Sequence, residues 1–157
     1  MNTDSSIRIE EARHVDSELM EAVQSLLRQL TLNAPQLTIE QLEEVVSSPS
    51  STLLLARDVP SRRIVGTLTL VIFRIPSGVR ARIEDVVVDK AQRRRGIGES
   101  LSLEAVRIAQ ARGARSIDLT SNAERPDANR LYQRIGFVRR ETNVYRYDEN
   151  ATRVSRL

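Results

Sequence analysis

Between residues 80 and 119 the apolar pattern changes period twice, and this constrains the fold more than any other feature of the chain. Residues 80–89 read as a Val-rich strand. Ile97, Leu101, Ala105 and Ile108 then recur at helical spacing, and the pattern stops at Gly113. Residues 116–119 return to a strand. A strand, a helix and a strand in that order form a parallel pair joined by a crossover helix.

The flanking elements extend this unit. Ile7 and Ile9 alternate with Arg8 and Glu10, a short strand. Asp16 or Ser17 can cap a helix whose apolar stripe is Leu19, Val23, Leu26, Leu27 and Leu30. Thr38 with Gln41 has capping-box spacing ahead of Ile39, Leu42, Val45 and Val46. Residues 52–56, 64–75 and 80–89 are strand-like and separated by short turns, which predicts an antiparallel meander. Pro126 opens and Gly136 closes a last helix. Residues 137–139 and 142–147 are expected to add two strands. The sequence thus predicts a single-domain α/β fold in the order β-α-α-β-β-β-α-β-α-β-β. Its sheet would be mixed, mostly antiparallel and of six to seven strands, with helices on both faces. One domain is expected over 1–157, with 149–157 as a tail.

Composition removes whole classes of chemistry. The chain has no Cys, so thiolate zinc sites, iron–sulfur clusters and cysteine nucleophiles are excluded. His14 is the only His and lies far in sequence from the motifs below, so no metal is expected. No segment reaches the ~18 apolar residues of a membrane span, and no signal-peptide pattern opens the chain. No membrane role and a cytoplasmic location are therefore expected. Residues 74–115 hold ten Arg or Lys against five Asp or Glu, which suggests an anionic ligand.

The segment Arg93-Arg94-Arg95-Gly96-Ile97-Gly98 lies between the Val-rich strand and the crossover helix. Glycines let a ligand approach the backbone closely. The first amides of a helix are unpaired and, with its dipole, favour an anion such as a pyrophosphate. A plain basic surface loop is the competing reading. A P-loop is excluded because Lys90 precedes the glycines. A dinucleotide fingerprint lacks its third Gly, and only one β-α-β unit is present.

With these segments in view the chain resembles the GNAT superfamily of acetyl-CoA-dependent N-acetyltransferases. Arg93-x-x-Gly96-x-Gly98 resembles its acyl-CoA pyrophosphate motif. The run from Arg82 through Glu84 and Asp85 to Val88 and Asp89 resembles its fourth strand. The run from Asn129 through Leu131, Tyr132 and Gly136 to Phe137 resembles its Leu-Tyr-x-x-x-Gly-Phe segment. The resemblance implies acetyl-CoA as co-substrate. Val86, Val87 and Val88 would line the pantetheine arm. The backbone around Arg93, Arg94, Arg95, Gly96, Ile97, Gly98, Glu99 and Ser100 would hold the pyrophosphate, and Asn129 would hydrogen-bond the arm. Tyr132 would protonate the leaving thiolate; otherwise it is a helix Tyr capping the core. Glu84 would be the base, with its pKa raised by burial and by Asp85; otherwise it is a strand-face acid paired with Arg80 or Arg82. Arg125 stands where many members carry an Asn.

The implied reaction is direct attack of an amine on acetyl-CoA in a ternary complex, since no Cys is available for an acyl-enzyme. The partner would be a small-molecule or peptide amine, with a homodimer left open. A non-catalytic acyl-CoA-binding or regulatory module is the alternative, and it would need neither Glu84 nor Tyr132. Nucleic acid is not an expected partner, because aromatics are scarce and no basic recognition helix is evident.

Overall fold

A computed structural model describes residues 6–148; the tail expected at 149–157 lies outside the described residues. The elements are β1 Ile7–Glu11, α1 Ser17–Leu30, α2 Ile39–Ser47, β2 Ser51–Asp58, β3 Ile64–Ile75 and β4 Gly78–Val88. After a 3-10 turn at Lys90–Gln92 come α3 Ile97–Ala111, β5 Ser116–Asp118 and α4 Pro126–Arg134. The sheet order is β1-β2-β3-β4-β5. All neighbours are antiparallel except β4 and β5, the parallel pair bridged by α3.

Local chemistry sets the helix ends. The Asp16 carboxylate accepts from the Leu19 amide at 2.8 Å and starts α1. Thr38 and Gln41 bond reciprocally to each other's backbone amides and start α2. Gly136, at φ +105°, follows α4.

The sheet is covered on both faces. Leu54, Leu68, Leu70 and Ile83 pack with Ile97, Leu101, Ala105 and Ala109 of α3. Leu53, Leu55 and Val87 face the other way, against Leu19, Val23 and Leu26 of α1 and Leu42 of α2. Successive residues of β2 therefore serve opposite cores, as the pleat requires.

The two strands expected after α4 are not formed; the sheet has five strands among the described residues. Val138, Val144, Tyr145 and Tyr147 are 77–86% exposed. Their β-branched and aromatic character carries strand propensity, but propensity is expressed only against a partner edge. The adjacent β5 is three residues long and pairs only with residues 80–82 of β4.

Candidate active site

Three elements converge at the glycine loop. A Cβ placed on Gly98 would lie 3.8 Å from Val88 Cγ2 and 3.9 Å from Leu131 Cδ2. Gly98 thus sits between β4 and α4, and the protein itself does not demand glycine there. Gly96 is different. It caps α3 at φ +72°, a conformation that favours glycine. No side chain caps α3, and its first backbone bond is Ser100 N–H to the Gly96 carbonyl, at 2.9 Å. The amides of Ile97, Gly98 and Glu99 are left pointing out of the helix end, the arrangement that suits an anion. Arg93 and Arg94 are exposed at this end, and neither side chain meets a carboxylate among the described residues.

The side chains of the other motif residues are engaged within the protein. Ile97 is buried in the core. Glu99 accepts from Arg134 at 2.8 Å and ties α3 to α4. The Ser100 hydroxyl donates to the Gly96 carbonyl at 3.1 Å. Arg95 donates to Asp58 at 3.0 Å, to Ser6 at 2.6 Å, and to Gln92. Any hold these residues have on an anion therefore runs through their backbone.

The Arg95 contact gives a stability prediction. Hydrogen bonds from the Ser61 hydroxyl and amide, and then from Arg95, hold the Asp58 carboxyl below its ordinary range. A depressed carboxyl contributes stability fully present above its unfolded value near 3.9, and loses it as pH falls through the folded value. Asp58→Asn is expected to lower the melting temperature at pH 7, with the gap to wild type closing below about pH 4. Thermal unfolding across pH checks this, and a gap that persists in acid would refute it.

The strand β4 departs from regular geometry where chemistry was expected. Thr69 pairs with Glu84 and Thr67 with Val87, so Asp85 and Val86 together stand against Leu68. This is a β-bulge, and Asp85 adopts φ +50° within it. The bulge shifts the phase of the strand by one residue. Ala81 and Ile83 face α3 before it, and Val86 and Val88 face α3 after it. Without the extra residue Asp85 would point a carboxylate into that core. Beyond Arg82, β4 also loses β5, whose pairing ends at Asp118. The edge of β4 from Ile83 to Val88 is open on that side among the described residues.

Two carboxyls flank this edge. Glu84 is half-exposed and accepts from Arg82, so the ion pair weighed from sequence is present. The Asp85 carboxyl is pushed up by the protein around it first, and by the Glu84 charge second. On α4, Tyr132 is 8% exposed and meets Phe137 edge-on at 6.0 Å. Its hydroxyl makes no hydrogen bond among the described residues. Burial raises its pKa, a shift that the charge of Arg125 opposes. Asn129, one turn earlier, donates to the Asn122 carbonyl at 2.9 Å and to the Arg125 carbonyl at 3.1 Å. Its amide nitrogen clamps the segment after β5, and only its carbonyl oxygen is left for an arm.

Comparison with known proteins decides the family. The acetyltransferase (GNAT) family matches residues 17–137. The chain belongs to the GNAT family. It is 38% identical over 61 residues to an uncharacterised N-acetyltransferase of Methanocaldococcus jannaschii, covering 39% of this chain and 27% of that one. It is 33% identical over 88 residues to a glucosamine 6-phosphate N-acetyltransferase of Trypanosoma brucei brucei, covering 54% of this chain and 58% of that one. The chain therefore aligns with about a quarter and somewhat over half of these two relatives. The crystal structure of a transcriptional regulator from Bacillus halodurans C-125 superposes with TM-score 0.75 at 27% identity, over 90% of this chain and 99% of that one.

Acetyl-CoA is the co-substrate of the GNAT family. The residues present suit that molecule: open helix-end amides, two unpartnered arginines, a glycine facing free space and an open strand edge. Among the described residues no group of His, Asp or Glu could hold a metal, and no helix is long and apolar enough to cross a membrane. The bulge was legible in the slipped apolar phase between Ile83 and Val86. The Arg95–Asp58 pair carried no signal, being 37 residues apart.

Proposed function

We propose that this chain is an N-acetyltransferase moving acetyl from acetyl-CoA to an amine by direct attack in a ternary complex. The observation that carries this reading is the open edge of β4, from Ile83 to Val88, running toward the unpaired amides of α3. An extended arm of alternating amides and carbonyls can add to such an edge like a strand. Its pyrophosphate would then meet Gly98, Arg93 and Arg94.

Acetyl-CoA supplies an activated thioester. The chain has to handle two protons, because the attacking nitrogen loses one and the departing sulfur gains one. Tyr132 holds a proton for the sulfur: its burial keeps the phenol neutral and no protein group occupies it. Glu84, fixed in place by Arg82, takes the proton from the amine directly or through water. The acceptor is a small-molecule or peptide amine. Glucosamine 6-phosphate, the substrate named for one relative, opens the panel to be screened.

A regulatory reading is favoured by one observation, the description of a structural neighbour as a transcriptional regulator. The two readings diverge in a simple experiment. CoA and acetyl-CoA are both expected to raise the melting temperature, by about 2.7 kcal/mol of stabilisation at a hundred times the dissociation constant. Absence of any shift at millimolar ligand refutes both. A shift without thiol release across an amine panel favours the regulatory module.

A further inference from the structure

Residues 138–148 are all exposed, yet their composition suits a strand. Val138, Val144, Tyr145 and Tyr147 carry the apolar surface, and the last two are two of the chain's three tyrosines. Strand alternation over 142–147 puts Asn143, Tyr145 and Tyr147 on one face and Thr142, Val144 and Arg146 on the other. The side chains already obey that alternation at one pair. The Asn143 side-chain amide donates to the Tyr145 hydroxyl at 3.3 Å, so residues two positions apart share a side, as in an extended strand. What is missing is a neighbour: the segment pairs with no strand among the described residues.

One edge is placed to receive it. β5 ends the sheet and pairs with β4 on one side only. Ile117 of β5, Leu119 just past it and Phe137 at the root of the segment pack on the same core. The segment therefore leaves α4 beside β5, not beside β1 at the other end of the sheet. Each chain thus presents one unpaired strand-forming segment and one unpaired edge close together, and by itself brings neither into use. A second copy related by a two-fold axis uses both at once. The segment of each copy adds to β5 of the other, an isologous exchange in which every contact is made twice.

We propose that the chain assembles as a homodimer in which residues 138–148 of each copy add as a strand to the β5 edge of the other. The exchange pairs backbone groups that the segment and the edge now leave to water. It also covers four tyrosine rings, two from each copy, and a buried tyrosine removes about 150–250 Å² from water. Eleven donated residues per copy, together with the edge that receives the partner's eleven, approach the roughly 20–30 residues a side of a stable interface. The proposal is independent of the acyl-CoA reading, since it uses neither the glycine loop nor Glu84 nor Tyr132.

Light scattering on the full chain at micromolar concentration is expected to give twice the chain's 17.7 kDa, and the melting temperature is expected to rise with protein concentration. Val144→Pro combined with Tyr145→Pro removes two consecutive amides, one of which faces the receiving edge in any register. Both residues are exposed and outside the sheet, so each copy keeps its fold. This variant is expected at the mass of one chain, with a melting temperature independent of concentration. Wild type at the mass of one chain overturns the proposal. So does a dimeric proline variant, which would put the contact on another surface. Cross-linking separates exchange from pairing within one chain, and the absence of native Cys makes the thiols unique. In a chain carrying Asp118→Cys and Tyr145→Cys, a flexible bismaleimide is expected to join thiols of different copies and give a two-chain band on a denaturing gel. Links confined to single chains overturn the exchange even in a dimeric protein.

Discussion

Gly98→Asp is expected to abolish CoA binding in a protein at least as stable as wild type. The stability half follows from the position. Gly98 is the second residue of α3, and an added Cβ meets only ordinary contacts at 3.8 and 3.9 Å. Replacing a helical glycine by Asp gains about 0.3 kcal/mol in propensity. A carboxylate in the first turn is favoured by the helix dipole. The binding half follows from the same features turned against a ligand. The new charge would take the open amides of Ile97, Gly98 and Glu99 and repel a pyrophosphate there. A loss beyond a hundredfold, about 2.7 kcal/mol, is expected. Gly96→Val, at φ +72°, strains the backbone whatever it does to the ligand, and is the weaker test. Calorimetry on folded Gly98→Asp gives the result, and wild-type affinity would remove the loop from the site.

What the sequence made legible was what is local. The glycine loop, the Thr38 box, the Pro126 start and the crossover of α3 each depend on residues within a few positions of one another. Backbone geometry follows from such spacing. The engagement of side chains does not. Arg93, Arg94 and Arg95 look equivalent on paper, yet Arg95 reaches Ser6 and Asp58 across 89 and 37 residues. Asn129 offers an amide to a reader, and the fold uses its nitrogen to hold Asn122. Glu84 finds Arg82 two residues away, a partner weighed from sequence but not separable there from Arg80. The strands expected after α4 failed for a related reason, since pairing requires an edge that no local pattern reveals.

Tyr132→Phe is expected to lower turnover by roughly 10²-fold or more, the usual contribution of a positioned general acid, once an acceptor is in hand. The ring should stay where it is. It is buried and packed edge-on against Phe137, with ring planes at 72°, and Phe preserves that contact. The hydroxyl makes no hydrogen bond among the described residues, so its removal leaves no protein group unsatisfied and the melting temperature should hold. KM for acetyl-CoA should hold as well, because the proton matters only as the carbon–sulfur bond breaks. Burial raises the phenol pKa above its ordinary value near 10, so a donor of this kind is lost only as pH climbs beyond that. Wild-type turnover should therefore show no alkaline decline from this group below about pH 10. A residue that merely caps the core predicts the reverse pattern: a small stability change with normal turnover. Steady-state kinetics beside thermal unfolding separate the two, and wild-type turnover in Tyr132→Phe would hand the proton to water or to the substrate.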